Sequence, residues 1–117
     1  MNTKKERKPI VWVVKEQMKP SASGVAPMDY TSAYEFGELR FITEFDPPLH
    51  PGTVREEWKN QIVRFVAEYD PEKDFIILTG SPLAIFLIGG VISEIRTPYK
   101  PRILVWRREQ SRYVLFN

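Results

Sequence analysis

The sequence predicts an α/β fold, a small, mostly parallel sheet with covering helices and a C-terminal antiparallel hairpin. Three observations point to it. Ile10 to Val14 and Phe75 to Leu78 are short apolar runs without alternation, the pattern of strands covered on both faces. Helical patterns over 53–69 and 83–95 follow the strands and suit crossover connections between parallel strands. The chain closes on two short strand-like runs, Ile103 to Trp106 and Arg112 to Phe116, joined by a turn.

Taken in order, Asn2 to Lys8 is polar and reads as a flexible basic tail, leaving 9–117 as one α/β domain. After the first strand, Lys19 to Pro27 (KPSASGVAP) reads as a loop from its Pro, Ser and Gly content. Asp29 is placed to cap a short helical turn through Phe36, which Gly37 would end in a left-handed conformation. Glu38 to Glu44 puts Leu39, Phe41 and Thr43 on one face, as expected of a strand nearer an edge. Asp46 to Gly52 holds three prolines and excludes regular structure.

A helix is predicted from Thr53, with Thr53 and Glu56 as a capping box. Its apolar stripe is Val54, Trp58, Ile62, Phe65, Val66 and Tyr69, and Asp70-Pro71 ends it. Asp74 to Thr79 is the next strand. Gly80-Ser81-Pro82 then turns the chain, with Ser81 at the N-cap and Pro82 at the first helical position. Leu83 to Ile95 is apolar nearly all round and is expected to be the most buried helix. Each of Gly89 and Gly90 costs about 1 kcal/mol against alanine, which close packing of helix on sheet would explain. Right-handed crossovers put the strands starting at Ile10 and Phe75 side by side in the centre.

Composition bounds the function loosely. A chain of 117 residues suits one domain that folds without metal or disulfide. Cysteine is absent, which removes disulfides, thiolate nucleophiles and Cys-based zinc sites and suits a reducing, cytoplasmic setting. No secretory signal pattern opens the chain. Phe75 to Ser93 carries no charge over a length that nominates a membrane span, but Gly80-Ser81-Pro82 near its middle favours strand, turn and helix. The net charge of +2 hides an asymmetry, with +4 over 1–20, −6 over 21–74 and +4 over 75–117. The basic ends would attract polyanions or lie against the acidic middle.

In open parallel sheets, ligands bind beyond the carboxyl ends of the strands. Thr79, Gly80 and Ser81 from one loop, with Lys19, Ser21 and Ser23 from the other, form a candidate site for an anionic or nucleotide-like small molecule. No dinucleotide-binding or phosphate-loop glycine motif supports it, and Pro82 removes one amide from that helix start. Arg102, Arg107, Arg108 and Arg112, with Trp106 and Tyr113, make a basic aromatic set on the terminal hairpin that would suit nucleic acid. Charged edge strands also arise simply to block edge-to-edge aggregation.

His50 is the sole histidine and lies between prolines, so no metal site is expected. No cofactor motif is present, and Ser81 lacks a nucleophile elbow. Glu44, Asp46, Asp70 and Asp74 fall at element ends, where caps and turns want carboxylates. No catalytic set emerges. The leading expectation is a non-enzymatic binding module, acting on a protein partner or on itself.

The segments SAYEFGELRFIT at 32–43, DFIILTGSP at 74–82 and ILVWRREQSRYV at 103–114 give the chain a resemblance to short bacteriophage-encoded α/β proteins. No activity is established for that group, so the resemblance implies an origin and no functional residues.

Overall fold

The computed structural model describes residues 7–16, 18–22, 24–49 and 52–116, with the backbone alone at 18–21, 25–27, 53 and 54. Seven strands form within it: β1 (Ile10–Lys15), β2 (Met18–Ser21), β3 (Gly24–Pro27), β4 (Glu38–Thr43), β5 (Phe75–Ile77), β6 (Ile103–Arg107) and β7 (Arg112–Leu115). The helices are α1 (Thr53–Glu68) and α2 (Pro82–Ser93), with a 3-10 turn over Thr31–Glu35. Five strands make one sheet in the order β4-β1-β5-β6-β7, parallel except for the terminal β6–β7 hairpin. β1 and β5 are the central neighbours that their unbroken apolar runs predict, and β4 lies at an edge.

Chain direction explains the layers. From β1 to β4 the chain moves one way across the sheet, and from β4 through β5 to β6 it moves back. Connections of one hand therefore fall on opposite faces. α1 and α2 cover one face, where Ile62, Phe65 and Tyr69 meet Trp12, Val14 and Ile76 from the sheet and Ala84, Ile88 and Ile92 from α2. Among the described residues, the other face is covered by the segment before β4. Tyr30 and Ala33 from that segment pack on Val11, Val13, Ile77, Leu104 and Tyr113. Ser32 Oγ accepts from the Tyr113 amide at 2.9 Å, which ties the 3-10 turn to β7.

Several expectations need correction. The stretch 19–27 is not a loop: β2 and β3 pair antiparallel around Ala22, with Ser21 opposite Gly24, whose φ of 121° needs glycine. Gly37 is not left-handed. It serves close approach instead, because a Cβ there would lie 2.4 Å from the Pro9 carbonyl oxygen. The Asp29 carboxylate does receive the Thr31 amide, at 2.9 Å, before the 3-10 turn. Gly52 rather than Thr53 is the N-cap of α1, its carbonyl accepting from the Glu56 amide, and the Thr53 side chain of the expected capping box lies outside the described atoms. On α1, Ile62, Phe65 and Tyr69 are buried as the stripe predicts, whereas Val66 is exposed and the Val54 side chain falls outside the described atoms. Buried Gln61 went unforeseen; its side-chain oxygen accepts from the Glu44 amide at 2.9 Å.

The largest correction concerns α2. Ser81 caps it as predicted, its Oγ accepting from the Ala84 amide, and Pro82 is the first helical residue. Yet α2 is not sealed inside the molecule. Ala84, Ile88 and Ile92 face the sheet, while Leu83 is 44% exposed and Phe86 77% exposed. Among the described residues, a Cβ added at Gly89 or Gly90 would meet nothing within 4 Å, so close packing does not account for this pair.

Candidate functional site

A buried carboxylate organises one end of the sheet. Asp74, wholly buried, accepts from both Arg7 terminal nitrogens (2.8 and 2.7 Å), the Ile10 amide (3.0 Å), the Trp12 indole (2.9 Å) and the Asp70 amide (2.9 Å). Burial pushes its carboxyl up, but the Arg7 guanidinium, the Asp70 amide, the indole and the Ile10 amide outweigh that and hold it below its ordinary value. Arg7 also donates to the Glu68 carbonyl. Arg7 thus ties the segment before β1 to the end of α1 and the start of β5. Buried and holding five hydrogen bonds, Asp74 clamps together the start of β1, the end of α1 and the start of β5.

At the opposite end of β1 and β5 lies the strand-turn-helix that the sequence nominates for an anion. Thr79 Oγ1 donates to the Lys15 carbonyl at 2.8 Å, and the Lys15 amide donates to the Thr79 carbonyl at 3.2 Å. Gly80 adopts φ 120° with its α-carbon close under Lys15, whose Cβ would lie 3.2 Å from any side chain there. Ser81 is occupied as the helix cap. Thr79, Gly80 and Ser81 are therefore engaged in holding β1 to β5 and starting α2. Of the amides an anion would use, Pro82 has none and Ala84's points to Ser81. Lys19 and Ser21 lie on β2, with side chains outside the described atoms; Ser23 and His50 lie outside the described residues. Among the described residues no group of acidic or histidine side chains is arranged to hold a metal ion.

The four hairpin arginines do not form one patch. Arg102 precedes β6, where its guanidinium lies 4.2 Å from the Phe75 ring centre and its Nε is buried with no hydrogen-bond partner. Arg107 and Arg112 close the far end of the hairpin, about 16 Å along the strand. There Arg107 approaches Glu109 at 3.9 Å and Arg112 pairs with Glu35. Arg108 lies exposed in the turn. Trp106 packs edge-on against Tyr113 at 5.2 Å and is 41% exposed, so its ring is shared between core and solvent.

Sequence reasoning missed an apolar surface centred on α2. Leu83, Phe86, Gly90 and Ser93 recur at helical spacing on its outer face. Beside them opens a cavity of about 360 Å³, bounded by Gly89 and Ile92 of α2, Ile103 of β6, Tyr69, Leu78 and Tyr99. Burial and the nearby Asp74 carboxylate push the Tyr69 hydroxyl up to about 12, so it stays neutral against this apolar wall. The surface continues onto Val105, which is 38% exposed. The signal was present in the sequence. A helix apolar on every face, laid on a single five-stranded sheet, must show one of those faces to the outside.

Among the described residues, no helix is long and apolar enough to cross a membrane. No curated protein and no solved structure matches the chain. A family model does, over residues 9–117, nearly the whole chain, and it agrees with the phage resemblance. The chain belongs to the family of Phage Pam3 gp32-like proteins.

Proposed function

We propose that this phage-family protein is a non-enzymatic interaction module that docks a protein partner through the outer face of α2 and the apolar surface beside it. The observation that carries the reading is Phe86, a large ring 77% exposed on a helix without a charged residue. Water gains nothing favourable from such a ring, and its burial against a partner contributes about 1.5–3 kcal/mol. Exposed contiguous apolar surface on a small domain marks an interaction site or an aggregation hazard. The described polar clusters fit structural work better than catalysis, since Asp74 is saturated with donors and the Gly80 turn is self-satisfied.

The test is photocross-linking in phage-infected cells. A photoreactive phenylalanine analogue at position 86 should yield discrete protein adducts, whereas the same analogue at Arg64, on the exposed side of α1, should yield none. Equal labelling from both positions, or none from position 86, would remove α2 as the docking surface.

A further inference from the structure

We propose that the outer face of α2 pairs with α2 of a second copy of this chain, antiparallel across a two-fold axis. The inference rests on the reading of α2 as a docking surface and adds the occupant. Three observations select a second copy.

The first is shape. The bulky residues of the outer face, Leu83 and Phe86, fall in the N-terminal half of α2, and Gly89, Gly90 and Ser93 fall in the C-terminal half. An antiparallel two-fold pairing centred near Ile88 sets Phe86 against Gly90 and Leu83 against Ser93 at once on both sides of the axis. The self-complementarity that an isologous interface demands is thus written along one helix. The 360 Å³ cavity borders this face along Gly89 and Ser93, and roughly 150 Å³ already accommodates a benzene ring, so a bulky side chain arriving beside Gly90 has open space on that flank.

The second is the glycine pair itself. Each glycine in a helix costs about 1 kcal/mol relative to alanine. Within one copy nothing among the described residues lies within 4 Å of a Cβ at either position, so packing in the single chain does not call for the missing side chains. Close approach of a second helix does.

The third is charge and area. A two-fold axis brings each nearby residue against its own copy, so like charges close to it repel. Along α2 itself there are none; the cations Arg55 and Lys59 of α1 lie beside Leu83 and Leu87, toward the end of α2 where the pairing sets Leu83 against Ser93. Leu78, Leu83, Phe86, Tyr99, Val105 and Phe116 together expose roughly 600 Å². With the cavity walls this approaches the about 800 Å² per partner of a stable interface.

Sedimentation velocity on the purified full chain across a hundredfold range of concentration tests the pairing. The wild type should move from 13.7 kDa toward twice that mass. Phe86→Glu, which brings a carboxylate to the axis, and Gly90→Leu, which fills the facing gap, should each weaken association at least a hundredfold. Circular dichroism should show both variants folded, because neither position packs within the single chain. A wild type that stays at 13.7 kDa throughout, or variants that associate as well as it does, would overturn the second copy. If that happens while adducts from position 86 to another protein persist in infected cells, docking by α2 stands with a different occupant. If both fail, both ideas go.

Discussion

At the residue scale, Asp74 concentrates the most binding energy in the fewest atoms. Its five donors come from Arg7, Ile10, Trp12 and Asp70, and breaking a buried ion pair from one side typically costs about 3–5 kcal/mol. Asp74→Asn should therefore lower unfolding free energy by about 3 kcal/mol in urea at neutral pH. The pH dependence follows from the direction of the shift. The folded carboxyl lies below its unfolded value, so its contribution is full above the ordinary carboxylate range and is lost as pH falls through the folded pKa. Wild-type stability should drop in acid more steeply than that of Asp74→Asn, as urea midpoints below about pH 4 would show. Gly37 gives a second test at this scale. Gly37→Ala drives a methyl into the Pro9 carbonyl and should destabilise by about 2 kcal/mol or more, read by the same titration. Neither role was legible in the sequence, because Asp74 lies 64 residues from Ile10 and Gly37 lies 28 from Pro9. Local pattern placed both at turns and could not see across the fold.

At the scale of elements, legibility followed the strength of the periodic signal. β1 and β5 were readable as central strands because an unbroken apolar run needs cover on both faces, and Ser81-Pro82 fixed the start of α2 through cap chemistry. β2 and β3 were not readable. Their ribbon is rich in proline and small residues and is held by backbone pairing rather than apolar alternation. The capping box at Thr53 matched the motif, but Gly52 took the cap one residue earlier. α2 was located correctly and its environment misjudged, since a helix apolar all round carries no moment to say which side turns outward. Its glycines now yield a signed expectation. Gly90→Ala should raise the stability of the dilute single chain by about 1 kcal/mol, because helix propensity improves and no neighbour is met. Gly80→Ala should do the reverse, since φ 120° and the nearby Lys15 Cβ both resist a side chain. Thermal melts of the two variants in parallel would show the opposite signs.

At the scale of the whole molecule, the turn-back of the chain after β4 decides where function can reside. It puts both long helices on one face and leaves the other to a short segment bridged by Tyr30, Ala33 and Ser32. The switch point between β1 and β5, where such sheets commonly bind ligands, is closed by Thr79 and Lys15. The outer side of the helical layer stays open, and there the chain presents Phe86. The arginine-bearing hairpin is a separate feature at the sheet edge. Arg107→Ala with Arg108→Ala should leave adducts from position 86 unchanged, as a cross-linking comparison would register.

The exposure of Phe86 in the single chain is the claim on which docking depends, and urea unfolding of Phe86→Glu at a protein concentration too low for association tests it most directly. A surface position predicts a change within about 0.5 kcal/mol of wild type. A loss of about 2 kcal/mol or more would place the ring inside the core and contradict the account.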